Sequence, residues 1–315
     1  MLSRTAENLF WLARYKERAE NIARLLSVAH RMASLSRSLG SPGNEWHSAL
    51  IASGCEPGFF ARHGEATAEA VLDYLMRDPD NPSSIISCLE TARRNARAVR
   101  TALTTDMWEA INETWRDGRE RRAESLDPER AVAFLEWVKQ RSLTFSGAYR
   151  DTMLRNDAFW FIHLGTMLER ADNTARILDV KYHVLLPETQ RVGGSLDYYQ
   201  WQSILQTVSA KRSYHWIYHD RLKPWLVAEL LILRPEMPRS LVSCYATVTE
   251  MLASIAEHNG HRRGECHRLA ERIHARLQAG RIEDIFQTGL HEYLTEFIDD
   301  TAVLGREIGS FYLNG

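Results

Sequence analysis

Apolar residues recur every three to four positions along most of the chain, and alternating β-branched runs between turn residues are almost absent. This spacing predicts an all-α fold. A first helix is expected from a cap at Ser3 to about Arg37, broken by "LGSPGNE" (Leu39–Glu45). A shorter helix covers about Glu65–Arg77 and stops at "DPDNP". From Pro82, a residue suited to a first turn, one long helix is expected past Trp108 to about Trp115. The polar stretch Arg116–Pro128 reads as a loop or frayed end, with Asp127 capping a helix that reaches about Leu154. Further helices are expected at about Asp157–Leu186, Leu196–Tyr218, Pro224–Leu233, Pro238–His258, Arg262–Gln278 and Thr288–Leu313, with Pro187–Ser195 a loop.

The pattern is written twice. "ERAENIARLLSV" (Glu17–Val28) and "ERADNTARILDV" (Glu169–Val180) stand 152 positions apart and share eight of twelve residues. "DPDNPSSIISCL" (Asp78–Leu89) and "RPEMPRSLVSCY" (Arg234–Tyr245) align at a separation of 156, each preceded by an apolar helix. Two matches in the same order and nearly the same register predict two tandem copies of a unit of about 150 residues. The expected copies are 1–150 and 151–315, packed as one globular body about a pseudo-twofold, like an isologous dimer joined into one chain.

On a helical wheel Asn21 and Arg24 fall within about 40° of Glu17, flanked by Arg14 and Glu20, with Leu12, Ala19, Ile22 and Leu26 opposite. An ordinary surface helix would carry Glu20 and Arg24 as a solvated i,i+4 pair worth about 0.2–0.5 kcal/mol. Phe10 and Val28 interrupt the charged stripe, however, and the second copy keeps Glu169, Asp172, Asn173 and Arg176 beside Ile162, Gly165 and Val180. A half-buried stripe follows, in which each charge needs a partner. The expected partners lie across the pseudo-twofold, Glu17 near Arg176 and Glu169 near Arg24. The candidate polar network or ligand site is therefore Glu17, Arg18, Glu20, Asn21, Arg24, Glu169, Arg170, Asp172, Asn173 and Arg176.

A net charge of −2 lacks the basic footprint of nucleic-acid binding. No 18-residue apolar span occurs and the amino-terminal segment is no secretory signal, so neither membrane insertion nor export is expected. Cys55, Cys88, Cys244 and Cys266 have no CxxC spacing, and reduced thiols in a cytoplasm are the simplest reading. Only five of the 39 cations are lysine, a bias that suits carboxylate or phosphate pairing and that genomic base composition also produces.

Other constellations are thinner. His215 and His219 have two-ligand spacing, but the segment reads HWIYH and lacks the glutamate of a metalloprotease helix. "HNGHRRGECH" gathers ligand types around a helix stop at Asn259-Gly260. No metal site or cofactor is expected. Arg93, Arg97 and Arg100 form one stripe that could clamp phosphates or carboxylates, or pair with acids such as Glu90. Trp108, Asn112 and Trp115 share a face of "MWEAINETW". Phosphate loops and nucleophile elbows are absent.

The blocks "SRTAENLFWLARYKERAENIARLL", "NPSSIISCLETARRNARAVR", "MWEAIN" and "MPRSL" together resemble the bacterial Alpha-E family along essentially the whole chain, with Lys16 and His163 atypical. The resemblance implies an all-helical cytoplasmic protein whose relatives accompany a circularly permuted ATP-grasp protein and often a transglutaminase-like protein. Function then reads as a non-catalytic or accessory partner of an ATP-grasp peptide ligase or modification system, binding the ligase or its peptide substrate. The alternative is an enzyme or catalytic subunit whose glutamates on facing helices serve acid/base or Mg-dependent chemistry.

Overall fold

Helix α1 (Ser3–Ser38) runs 36 residues without a break and is buried on nearly every side through its middle. It is the first of fifteen α-helices in a computed structural model that describes residues 3–38, 44–122, 127–183 and 195–313. No strand occurs among the described residues. Helices α2 (Glu45–Ser53), α3 (Glu56–Phe60) and α4 (Ala68–Met76) follow, the first two of them not expected from periodicity.

The helix expected from Pro82 to Trp115 is two. Ser84 caps α5 (Ile85–Ala98) by accepting a hydrogen bond from the Ser87 amide at 3.3 Å. After a 3₁₀ turn at Arg100–Ala102, Thr104 accepts from the Met107 amide and starts α6 (Thr105–Arg121). That second cap lets the chain reverse without glycine or proline. α6 also continues through part of the segment read as a loop. Asp127 caps α7 (Pro128–Thr152) as expected, and α8 (Asp157–His183) carries the second glutamate stripe. The helix expected at Leu196–Tyr218 also divides, into α9 (Ser195–Thr207) and α10 (Lys211–Tyr218), with Ser209 at φ +60° between them. Helices α11 (Pro224–Ile232), α12 (Leu241–His258), α13 (Glu265–Ala279), α14 (Ile282–Thr288) and α15 (Leu290–Ile308) complete the series, with a π-helical turn at Gly309–Leu313. The loop expected at Pro187–Ser195 lies almost wholly outside the described residues.

The repeated "NPSS" and "MPRS" segments do the same local work. Ser240 caps α12 as Ser84 caps α5, and the Cys88 and Cys244 thiols point to the Pro82 and Pro238 carbonyls. Packing repeats in the same sense. α1 and α8 make the most extensive helix contact; α5 and α7 pack on α1, and α12 and α15 on α8. α2 and α9 each touch both central helices. The main apolar core draws on residues from Ala6 to Leu313, and a smaller one fills the space between α1, α4, α5 and α7. α1 contributes to both cores, so it has no solvent face on which to discharge its polar stripe.

At the α1–α8 crossing the backbones nearly touch. A Cβ on Gly165 would lie 2.5 Å from the Phe10 carbonyl oxygen and 3.3 Å from the Ala13 Cβ. This close approach sets the geometry one turn further along, where the glutamates meet. No helix among the described residues is long and apolar enough to cross a membrane.

Candidate functional site

Glu17 and Arg18 on α1 face Glu169 and Arg170 on α8, and the pairs cross. Arg170 donates to both oxygens of Glu17, Nε to Oε1 at 2.8 Å and Nη2 to Oε2 at 3.2 Å. Arg18 does the same to Glu169, at 2.6 Å and 3.2 Å. Arg14 adds a third bond to Glu169, at 2.6 Å. Both carboxylates are shut off from solvent, Glu17 completely. Two-pronged guanidinium–carboxylate pairs are the geometry in which arginine is not replaceable by lysine.

One turn further along each helix, Arg24 and Arg176 bond Glu20 and Asp172 on their own helices. Each also reaches a carbonyl at the end of a neighbouring helix, Arg24 that of Thr207 and Arg176 that of Ala52. The expected cross-pairing of Glu17 with Arg176 and Glu169 with Arg24 is therefore incorrect. With the α1 backbone at Phe10 close against Gly165 of α8, Arg170 faces Glu17 and Arg18 faces Glu169, and the arginine two turns along each helix does not.

The two sides differ beyond this frame. Glu20 also accepts from Arg239, just before α12, and from the Ser142 hydroxyl of α7. Lys16 is buried, donates to Ser146 Oγ at 2.8 Å, and stands 3.4 Å from Glu17 and 3.7 Å from Glu20. The sequence pattern did not single out Lys16, Arg14, Arg239 or Ser142 as site residues. Arg14 and Arg239 lie within the blocks that carry the family resemblance, which is the signal that could have found them; Lys16 is atypical of that family, and Ser142 lies outside the blocks. Asn173 donates to the Glu169 carbonyl at 2.8 Å, whereas the buried Asn21 side-chain amide has no hydrogen-bond partner among the described residues.

Burial works against every charge here, and the partners decide the outcome. Burial alone would raise the Glu169 carboxyl, but Arg18 and Arg14 outweigh it and hold the pKa at about 2. Glu17 and Glu20 are likewise held below the ordinary carboxylate range, by Arg170 and by Arg239 respectively, against the same desolvation. Burial lowers Lys16 despite the two glutamates, and lowers Arg239 to about 10. A carboxyl depressed in the folded state stabilises above its unfolded pKa and loses that contribution as pH falls through the folded value. For Glu169, a depression from 4.5 to about 2 corresponds to roughly 3 kcal/mol. Urea midpoints are expected to fall between about pH 5 and about pH 2, less steeply for Glu169→Gln than for the parent. Parallel curves would show that this carboxylate carries no linkage.

The remaining candidates lie apart. Arg93 on α5 donates to Asn112 Oδ1 at 2.9 Å and stacks 3.8 Å from the Trp115 ring; Arg100 lies 5.2 Å over Trp108, and Arg97 is exposed. His215 and His219 are not joined in a site: His215 is exposed, and His219 lies beyond the end of α10 at φ +48°. Among the described residues no group of three or more His, Cys, Asp or Glu side chains is placed to hold a metal ion.

A helical protein centred on a doubled Glu-Arg dipeptide defines the class. The signature of the Alpha-E family, described as "a predicted alpha-helical domain with a conserved ER motif", matches residues 1–313, and the chain belongs to that family. Glu17-Arg18 and Glu169-Arg170 are two such dipeptides, and in this structure each completes the other. Uncharacterised proteins of Mycobacterium bovis and Mycobacterium tuberculosis are 25% identical over 94% of the chain. The chain spans about a third of the length of those relatives, 35%. No solved structure matches it.

Proposed function

We propose that this protein is a non-catalytic accessory component of a circularly permuted ATP-grasp peptide ligase or modification system, binding the ligase or its peptide substrate. The observation that carries this reading is the closure of the glutamate network. All four oxygens of Glu17 and Glu169 accept guanidinium hydrogen bonds inside the protein. Carboxylates so held are ill suited to exchange a proton near neutral pH or to open an oxygen to a substrate or Mg²⁺, which supports the accessory reading over one that uses Glu17 and Glu169 in catalysis. Accessory roles also suit a domain that occurs in relatives within chains about three times as long. The transglutaminase-like protein is a second partner of the same proposal, with nucleic acid and membrane outside it. A cytoplasmic location is supported by four buried, unpaired cysteines.

We propose also that the two halves are tandem copies. The crossed pairs, the Arg24 and Arg176 carbonyl contacts, and the Ser84 and Ser240 caps support a pseudo-twofold between α1 and α8.

The test is co-purification with the neighbouring ATP-grasp protein, followed by ATP-turnover assays of each protein alone and of the mixture. A stable complex is expected, with no turnover by this chain alone. Turnover by this chain alone, without a complex, overturns the reading.

A further inference from the structure

One stretch of the second half gathers cations and indoles that the rest of the structure leaves unengaged. α10 carries Arg212, His215 and Trp216 along one exposed edge, with Tyr214 buried, and His219 continues that edge just past the helix end. The Tyr214 hydroxyl clasps the following turn, donating to the Arg221 carbonyl at 2.8 Å and accepting from the Lys223 amide at 2.9 Å. α11 then packs on α10, with Trp225 in its first turn. Trp216 is 81% exposed and Trp225 47%. Between residues 198 and 235 the cations are Lys211, Arg212, Arg221, Lys223 and Arg234, and the acids are Asp220 and Glu229 alone. Both acids are engaged, Asp220 by Lys223 and Glu229 by Arg234. Among the described residues Lys211, Arg212 and Arg221 have no acidic partner.

The helix frame does not call for these side chains. At the 156-residue offset that aligns the two cap segments, α11 coincides with α4 from end to end. The positions matching Arg212, Arg221 and Trp225 there hold Glu56, Glu65 and Glu69. The same frame therefore carries opposite charge in the two halves, and only the second pairs its charge with exposed indoles.

We propose that the α10–α11 edge docks on an anionic lipid surface, with Trp216 and Trp225 entering the headgroup layer and Lys211, Arg212 and Arg221 meeting lipid phosphates. Indoles favour that layer, where the ring is apolar and its N–H stays wet, and basic side chains near it are drawn to acidic lipids. A side chain four-fifths exposed projects from the surface instead of lining a cleft, so it suits a partner into which it can sink. A second copy of the chain offers the glutamates around α4, but Phe60, which matches Trp216, also stands exposed there and gives an indole no recess. Nucleic acid needs a longer track of cations than these three. The lack of a spanning helix among the described residues bears on insertion, not on adsorption. Attachment of this kind goes beyond the accessory reading and does not depend on it.

The test is co-sedimentation of the full chain with vesicles of equal parts phosphatidylglycerol and phosphatidylcholine, against vesicles of phosphatidylcholine alone. Binding to the anionic vesicles only is expected, weakened by added salt. Trp216→Ala and Arg212→Glu/Arg221→Glu should each lower partitioning about tenfold. All three side chains are exposed, and circular dichroism checks that the variants keep their helices. Arg94→Glu/Arg97→Glu makes the same change of charge at exposed positions of α5 and should bind nearly as well as the parent. Absence of binding, equal binding to both kinds of vesicle, or an equal loss in the α5 control overturns the proposal. So does self-association without vesicles that Trp216→Ala abolishes, which assigns the edge to a second copy. Release from the vesicles by an equimolar single-stranded oligonucleotide also overturns it and assigns the edge to nucleic acid.

Discussion

Replacing Arg170 by methionine is expected to cost about 3–5 kcal/mol of stability, among the largest losses available to a single substitution in this chain. The variant strands Glu17, wholly buried, with Lys16 at 3.4 Å and Arg239 at 3.5 Å as its nearest cations. Neither offers the paired geometry that Arg170 supplies, and Lys16 already divides its charge between Glu17 and Glu20. The loss comes from an uncompensated buried charge more than from the worth of the pair itself. Glu17→Met/Arg170→Met should therefore recover most of the stability, because similar-sized apolar side chains replace a buried ion pair at little net cost. Urea denaturation of the parent, both single variants and the double variant closes the cycle. A double variant as unstable as the sum of the singles would show that the two residues do not act as a unit. Recovery together with intact ligase binding would place the Glu-Arg dipeptide in folding; recovery with binding lost would place it also in function.

The helical class of the chain was legible because the 3.6-residue period survives even where helices are buried all round. What periodicity could not show was the two reversals made without glycine or proline. Thr104 accepts from the Met107 amide and Ser209 takes a left-handed backbone, and both residues look ordinary within a continuous apolar pattern. The glutamate stripe was visible as a repeated motif, but its partners were misassigned for a physical reason. A wheel divides a helix into an inside and an outside, and α1 has two apolar cores against it instead. Arg18, about 100° from Glu17 and so off the stripe, has a buried carboxylate waiting on its own side. Ser142 and Arg239 come from elements far along the chain, and no local spacing announces them. The arginines of α5 were visible as a stripe; the stacking of Arg93 and Arg100 on indoles of α6 depends on the very reversal at Thr104 that periodicity passed over.

Gly165→Ala is the second substitution expected to act strongly, although it adds a single methyl group to a helix and improves its intrinsic propensity. Alanine in a helix interior is ordinarily favoured over glycine by roughly 0.5–1 kcal/mol. At Gly165 the new Cβ would stand 2.5 Å from the Phe10 carbonyl oxygen, a backbone atom that no rotamer change can move aside. α1 and α8 would have to part, and overpacking of this kind costs about 1–3 kcal/mol, occasionally more. The crossed pairs give it reach: separating the helices here lengthens the Arg18 and Arg170 contacts to both glutamates, which tolerate little loss of geometry when buried. Gly147 in α7 supplies the matched control, exposed and with nothing within 4 Å of where an added methyl group would stand. Gly147→Ala should raise the urea midpoint while Gly165→Ala lowers it. The Gly165→Ala loss should shrink in a Glu17→Met/Arg170→Met background, where one crossed pair no longer has to be held in register. An unchanged loss there would mean that the crossing costs stability through backbone contact alone, and that the ion pairs follow the helices without constraining them.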